Sequence, residues 1–151
     1  MADETPRLKA LFVDGHSIIF AWEDLRVLHE RNAAMAREEL CRRMTVYQDC
    51  MLQRVVIVFD GKGEKTQAKD RSVDDILVIY SGKGKTADDV IERLVAQYSE
   101  RYELTVATAD RAEMDTVMAF GGFCISPPTL LEYLDRAEAQ LASMLNRLRR
   151  K

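Results

Sequence analysis

The sequence predicts an α/β fold, specifically a three-layer α/β/α domain with a mainly parallel central sheet of about five strands. Short apolar segments of strand length alternate along the chain with longer segments of helical periodicity. The connections between the apolar segments are too long for hairpins, which favours right-handed crossovers between parallel strands. The apolar segments also tend to end in an aspartate, so acidic residues recur where strands end.

Length and composition indicate one globular domain. The chain has 151 residues, of which 47% are hydrophobic and 31% charged, so we expect one core and one domain over residues 1–151. We expect residues 1–7 to form a flexible N-terminal segment. The formal net charge of −3 does not favour binding to nucleic acid or to anionic membranes in general. Any anionic partner must therefore be bound by local basic loops.

The sequence indicates a cytoplasmic protein without a membrane partner. No apolar run approaches the roughly 18 to 20 residues of a membrane span. The segment Met1–Lys9 is charged and contains proline, which is unlike a signal peptide. Cys41, Cys50 and Cys124 show no C-x-x-C spacing, so we expect reduced and mostly buried cysteines.

The first part of the chain is expected to form two strands and two helices. Leu8–Val13 is a nearly continuous apolar segment that suits a central strand covered on both faces. Glu23–Glu30 predicts a short helix, and Ala33–Leu52 predicts a longer helix with an apolar stripe. Val55–Phe59 is rich in β-branched residues and predicts the second strand.

The alternation continues after Gly61–Ser72, a polar loop that we expect to be mobile and locally basic. Thr86 and Asp89 are spaced as in a capping box, and Ser126 is a candidate N-cap before two prolines. The elements predicted here are a strand at Ile76–Tyr80, a helix at Thr86–Arg101, a strand at Leu104–Thr108, a helix at Ala112–Phe120, a short strand at Phe123–Ile125 and a C-terminal helix over residues 127–151.

The last helix carries a leucine stripe along one side. The stripe consists of Leu130, Leu134, Leu141, Leu145 and Leu148. Such a stripe serves a dimer interface as well as a core, so the oligomeric state stays open at this point.

Aspartates collect where the predicted strands end. The carboxyl ends of parallel strands share one edge of the sheet, and binding sites of open α/β sheets lie beyond that edge. The residues concerned are Asp14, Asp60 and Asp110, with Asp88 and Asp89 at the start of a helix that begins there. Each aspartate alone is also ordinary turn or capping chemistry. Independent turns need not all place an acid at one edge, so the joint pattern favours a site.

A cluster of carboxylates at one edge indicates a divalent cation. Crowded carboxylates repel one another, and desolvation raises carboxyl pKa values unless a cation is present. Oxygen ligands suit Mg²⁺ or Mn²⁺, and such ions activate water and stabilise phosphoryl oxygens during in-line displacement. The chemistry expected from the residues is therefore phosphodiester hydrolysis.

Four segments in this order and spacing carry a family resemblance: VDGHS, VFDG, KTADDVIERLV and VATAD. Over Leu8–Ala137 the chain resembles the NYN domain of the YacP-like branch of PIN-like nucleases, most specifically at Thr86–Leu94. The resemblance implies a PIN-like fold and a metal-dependent endoribonuclease, with some members acting on messenger RNA at the ribosome. Carried over by position, the acidic site residues implied are Asp14, Asp60, Asp88 and Asp110.

Two positions depart from the family pattern. The first segment usually reads VDGYN, whereas this chain has His16 and Ser17, and the fourth usually reads TSD, whereas this chain has Ala109. A serine hydroxyl can orient water but lacks the paired donor and acceptor groups of an amide, so metal affinity or phosphate positioning is expected to differ. VDGHS is also similar to the opening of flap-type 5′ nucleases, although this chain is too short for their helical arch.

The resemblance and the residues together give each acid an expected role. Asp14, Asp88 and Asp110 are expected to hold Mg²⁺ or Mn²⁺, directly or through water. Asp60 is expected to contribute to catalysis, and Asp89 to complete the metal site. We expect the substrate to be single-stranded RNA, guided partly by basic loops. The candidate substrate-binding residues are His16, Ser17, Lys62, Lys65, Lys69, Arg71, Lys83 and Lys85.

Two other functions stay open on the sequence alone. The substitution at Ser17 permits an RNA-binding or ribosome-binding module without efficient catalysis, and the acids also suit another Mg²⁺-dependent phosphoryl-transfer enzyme. The order Gly84-Lys85-Thr86 is similar to a P-loop, but Ile79 stands where that motif needs its first glycine. Trp22 is a candidate for stacking on a base, although a lone tryptophan near the first helix is more often a core residue.

Overall fold

A computed structural model describes residues 7–61 and 76–150. The described residues form five strands and six helices, and the five strands occur in the predicted order. In chain order these are β1 Leu8–Asp14, α1 Gly15–Ala21, α2 Glu23–Arg31, α3 Ala33–Met51, β2 Arg54–Phe59, β3 Leu77–Tyr80, α4 Ala87–Tyr98, β4 Tyr102–Ala107, α5 Arg111–Ala119, β5 Phe123–Ile125 and α6 Pro127–Arg149. Most of the predicted N-terminal segment and of the predicted basic loop lies outside the described residues.

The sheet is parallel throughout its described strands, in the order β3-β2-β1-β4-β5. β1 lies at the centre, where Phe12 aligns with Val56 of β2 and with Val106 of β4. The strands therefore end at one common edge, which we call the carboxyl edge. The expected α/β class with a mainly parallel sheet is confirmed.

Helices cover both faces of the sheet because successive strand residues point to opposite sides. Leu11 and Val13 of β1 pack on one face in a core shared with α1, α2, α3 and α6. Ala10 and Phe12 pack on the other face in a core shared with α4 and α5. The three-layer α/β/α arrangement predicted from the sequence is therefore confirmed.

No helix was predicted at Gly15–Ala21, where the structure has α1. This helix begins directly after Asp14 because the chain turns tightly against β2. A Cβ atom on Gly15 would lie 2.3 Å from two ring atoms of Phe59, so glycine is the residue that fits this approach. The turn places His16 and Ser17 in the first turn of α1, beside Asp14.

Trp22 is a core residue at the junction between α1 and α2. Its side chain is buried, and its indole Nε1 donates a hydrogen bond of 2.9 Å to the backbone oxygen of Pro127 at the start of α6. A buried indole needs such a partner. Trp22 thus ties two helices of one layer together and is unavailable for stacking on a base.

Two predicted caps are present. The Thr86 hydroxyl accepts from the backbone N–H of Asp89, while Asp89 accepts from the backbone N–H of Thr86, so α4 starts with a capping box. Ser126 accepts from the backbone N–H of Thr129 at the start of α6. α4 ends at Tyr98 rather than at the predicted Arg101, because a turn must precede the start of β4.

α6 follows its predicted leucine stripe, but only part of the stripe is buried. Leu130 and Leu134 pack in the core, whereas Leu141, Leu145 and Leu148 are 37%, 44% and 67% exposed. Residues 138–150 are all exposed. The last turns of α6 therefore extend beyond the layer that covers the sheet.

Two further observations concern membrane-spanning helices and the cysteine side chains. Across residues 7–61 and 76–150, no helix combines the length and the apolar character needed to cross a bilayer. The side chains of Cys41, Cys50 and Cys124, which were expected to be mostly buried, are half-buried.

Candidate active site

Three carboxylates meet at the carboxyl edge of the sheet. Asp14 at the end of β1, Asp88 in the first turn of α4 and Glu113 in the first turn of α5 each offer one oxygen, and these oxygens all lie within 4.8 Å of one another. Asp14 and Glu113 are buried, and Asp88 is half-buried. We call these residues the acidic cluster.

The acidic cluster is positioned by one strand end and two helix starts. Asp110 caps α5, since its Oδ1 lies 2.9 Å from the backbone nitrogen of Ala112 and 3.4 Å from that of Glu113. This cap fixes the first helical turn, which carries Glu113 inward. The N-terminal ends of α4 and α5 bring the positive ends of two helix dipoles to the same edge, which favours negative charge there.

Thr108 connects the two buried acids. Its Oγ1 lies 2.9 Å from Oε2 of Glu113 and 3.2 Å from Oδ2 of Asp14, and it accepts a hydrogen bond from the backbone N–H of Asp110. A hydroxyl group has one proton, so it can donate to only one of the two carboxylates at a time. The other contact requires a proton on a carboxyl group.

Burial gives this pair of acids an unusual protonation. Burial first, and then the nearby Asp88 and Asp14, raise the pKa of Glu113 to about 10. Burial also raises the pKa of Asp14, although hydrogen bonds from its neighbours oppose the shift. Without a cation, the pair therefore shares a proton that resides mainly on Glu113 at neutral pH.

The donor set fits a hard divalent cation. Oε1 of Glu113 is buried and has no hydrogen-bond partner among the described residues. A buried oxygen without a partner costs about 1–3 kcal/mol, so its presence calls for a ligand or ion. Carboxylate oxygens converging from three sides are what Mg²⁺ and Mn²⁺ accept as ligands.

The structure brings Asp14 and Asp88 into the acidic cluster, and it engages the other predicted aspartates at helix starts. Asp60 Oδ1 accepts from the backbone N–H of Ala87 at 2.6 Å, at the beginning of α4. Asp89 belongs to the capping box of α4, and Asp110 caps α5. These carboxylates border the acidic cluster and hold the helices that carry it. Their predicted catalytic and metal roles stay predictions.

Glu113 is the member of the acidic cluster that the sequence analysis missed. It is completely buried on the same side of α5 as Val117, one helical turn later. The available signal was an acid at a position where helical periodicity calls for an apolar residue. A buried acid in the first turn of a helix that starts at the carboxyl edge is a candidate ligand.

Ser17 and His16 lie beside Asp14 and contact neighbouring loops. The Ser17 hydroxyl accepts from the backbone N–H of Ala109 at 2.7 Å, which links α1 to the segment between β4 and α5. Nδ1 of His16 accepts from the backbone N–H of Asp60 at 3.3 Å. Burial lowers the pKa of His16. The imidazole is therefore neutral, with its proton on Nε2.

The basic candidates are only partly described. Lys83 and Lys85 are exposed in the segment between β3 and α4, just before Asp88. The remaining candidates lie outside the described residues, and they are Lys62, Lys65, Lys69 and Arg71.

The chain is similar to proteins of one family over most of its length. The family model described as the YacP-like NYN domain matches residues 11–151. The protein named "Uncharacterized protein YacP" from Bacillus subtilis (strain 168) is 29% identical over 139 residues, which are 91% of this chain and 82% of that protein.

Two solved structures are also similar to this chain over most of its length. The crystal structure of Rae1 (YacP) from Bacillus subtilis matches with a TM-score of 0.79 and 29% identity, covering 93% of this chain and 82% of that chain. A tryptophan-to-leucine mutant of Rae1 matches with a TM-score of 0.80 and 27% identity, covering 95% of this chain and 86% of that chain. Sequence and fold therefore agree on the relatives of this chain.

Proposed function

Because the chain belongs to the YacP-like NYN domain family of PIN-like nucleases, we propose that it is a divalent-metal-dependent endoribonuclease. The reaction would be hydrolysis of phosphodiester bonds in single-stranded RNA, including messenger RNA on the ribosome. The observation that carries the proposal is the acidic cluster, in which Asp14, Asp88 and Glu113 offer oxygens within 4.8 Å of one another.

Asp14, Asp88 and Glu113 would hold one Mg²⁺ or Mn²⁺ ion. The partnerless Oε1 of Glu113 supports this assignment, because a cation would give this buried oxygen a partner. When bound, the cation supplies Lewis-acid stabilisation of the phosphoryl oxygens and lowers the pKa of a nucleophilic water.

The residues around the acidic cluster would keep it in place. Thr108 fixes the relative position of Asp14 and Glu113 through its hydroxyl group. Asp60 accepts a hydrogen bond from the backbone of α4, and Asp110 accepts one from the backbone of α5. These bonds orient the helical turns that carry Asp88 and Glu113. In this proposal they are positioning residues, which refines the roles predicted for them from the sequence.

Substrate would approach from the side of Asp88, the half-buried member of the acidic cluster. Lys83 and Lys85 are exposed immediately before α4 and are placed to meet the RNA backbone there. Their contribution is a Coulomb attraction to phosphates, so it should weaken as salt concentration rises. The N-terminal end of α4 would add a favourable dipole for the same phosphates.

The test is cleavage of labelled single-stranded RNA in Mg²⁺ or Mn²⁺, with and without EDTA. We expect cleavage by the wild type that stops in EDTA and in both Asp14→Asn and Asp88→Asn. The matched control is Asp115→Asn, which removes an exposed acid of α5 and should cleave like the wild type. Cleavage that survives EDTA or both substitutions overturns the proposal. RNA binding without cleavage would favour the binding module instead.

A further inference from the structure

Aromatic rings form a group beside the acidic cluster. His16 and Phe20 of α1 are stacked with ring centroids 6.1 Å apart and an interplanar angle of 24°. His29 of α2 packs edge-on against Phe20 at 4.9 Å, and Phe59 at the end of β2 packs edge-on against His16 at 5.5 Å. We call His16, Phe20 and His29 the aromatic platform.

Phe20 is the outward ring of the aromatic platform. It is 49% exposed, whereas Ile18 and Ile19 of the same helix are fully buried. Single exposed apolar residues are common on protein surfaces and need no explanation. Phe20 differs because two imidazole rings contact it and hold its position. A fixed and exposed aromatic ring is a surface on which a flat ligand can stack.

The aromatic platform is connected to the acidic cluster through short contacts. His16 lies in the helical turn that directly follows Asp14. Its Nδ1 accepts from the backbone N–H of Asp60, and Asp60 in turn accepts from the backbone N–H of Ala87 at the start of α4. The next residue of α4 is Asp88. The aromatic rings and the acids therefore border the same part of the carboxyl edge.

The contacts of His16 also set its chemistry. Because Nδ1 accepts a hydrogen bond from a backbone N–H, the ring proton is on Nε2. The imidazole next to Phe20 adds a second flat ring to the stacking surface, which suits the flat face of a nucleobase.

We propose that the aromatic platform binds an unpaired nucleobase of the RNA by stacking on Phe20, beside the phosphodiester bond that would be hydrolysed at the acidic cluster. This inference rests on the proposed function for the class of ligand. Every base has a flat face, so the subsite should tolerate different bases. Bases within a duplex are already stacked on their neighbours, so the subsite should select single-stranded RNA.

The test measures binding apart from cleavage. A single-stranded oligoribonucleotide carrying 2-aminopurine is titrated in EDTA, and both the Kd and the fluorescence quenching on stacking are recorded. We expect Phe20→Ala to weaken binding roughly five- to hundredfold and to reduce the quenching. Phe20→Trp should retain both, and Phe20→Leu, which keeps apolar volume but has no ring, should lose the quenching.

A matched control separates this effect from a general loss of apolar surface. Met51→Ala removes another partly exposed apolar side chain, at the opposite edge of the sheet where β2 begins, and should bind like the wild type. Thermal unfolding of each variant verifies that it folds. The inference is overturned if both Phe20→Ala and Phe20→Leu bind and quench like the wild type.

Failure of this inference differs from failure of the proposed function. If the wild type cleaves RNA and the Phe20 variants bind RNA normally, the nucleobase-stacking proposal is wrong and the endoribonuclease proposal is retained. If the wild type binds with a Phe20-dependent quenching but never cleaves, the aromatic platform is supported and the nuclease proposal fails. A wild type that neither binds RNA in EDTA nor cleaves it in Mg²⁺ or Mn²⁺ overturns both.

Discussion

Glu113 and Asp14 share one hydrogen-bond partner, the hydroxyl group of Thr108, which lies 2.9 Å from Glu113 Oε2 and 3.2 Å from Asp14 Oδ2. One hydroxyl proton cannot satisfy two carboxylates. The pair therefore needs either an extra proton or a cation, and both alternatives have measurable consequences.

Without divalent cations, the protein should lose stability as pH rises. The pKa of Glu113 is raised to about 10 in the folded protein, from an ordinary value of 4.5. Between these values the folded protein holds a proton that the unfolded chain releases, so the free energy of unfolding falls with pH. The slope for one proton is at most about 1.4 kcal/mol per pH unit. Urea unfolding in EDTA, followed by Trp22 fluorescence between pH 6 and 9, measures it.

The control for this pH dependence is Glu113→Gln. Its amide has nearly the same shape and does not titrate, so the slope should become much flatter. A Gln variant with the wild-type slope would mean that another group causes the pH dependence.

Binding of the cation should release a proton. Mg²⁺ or Mn²⁺ must displace the proton held by Glu113, so about one proton should leave at neutral pH and the affinity should rise with pH. Calorimetric titration with Mn²⁺ in two buffers of different ionisation enthalpy counts this proton. Asp115→Asn should behave like the wild type, and Glu113→Gln should bind more weakly without proton release. Wild-type binding that releases no proton contradicts the assignment.

Gly15→Ala should destabilise the fold although it adds only a methyl group. The new Cβ would lie 2.3 Å from ring atoms of Phe59, and such overpacking costs about 1–3 kcal/mol. Urea unfolding measures the loss. Phe59→Leu removes the clashing ring, so the double variant should be more stable than the sum of the two single losses predicts. Strictly additive losses would show that the two residues do not clash.

The last turns of α6 should open far more readily than its first turns. Leu130 and Leu134 are buried, whereas residues 138–150 are all exposed. A short helical segment without buried contacts is marginally stable in water. Hydrogen exchange should therefore be fast for amides of residues 141–149 and slow for those of residues 131–137. Equal protection across α6 would indicate that another surface covers the exposed leucines, such as a second copy of the chain.

The parts of the fold that local sequence patterns determine could be predicted from the sequence. Apolar strands and capped helices have clear periodicities, and Asp14 and Asp88 mark a strand end and a helix start. Local patterns did not reveal α1, which begins where Gly15 lies close to the ring of Phe59, a residue distant in the chain. They also did not reveal where the core ends along α6.

Glu113, the third acid of the acidic cluster, shows the same limit of local sequence patterns. Asp110 is the first acid after β4, but as an N-cap it directs its carboxylate to the backbone of its own helix. Glu113 follows within that first turn and points inward. Which of two nearby acids joins the acidic cluster depends on how the helix is rotated against the sheet, and packing sets this rotation.

The most direct test of the account compares cleavage rates of Glu113→Gln and Asp110→Asn on single-stranded RNA in Mn²⁺. Glu113→Gln should lose about hundredfold or more, like Asp14→Asn, because a ligand is lost. Asp110→Asn should keep most of its activity, since asparagine caps a helix as well as aspartate does. Full activity in Glu113→Gln, with activity abolished in Asp110→Asn, would contradict the central claim that Asp14, Asp88 and Glu113 form the metal site.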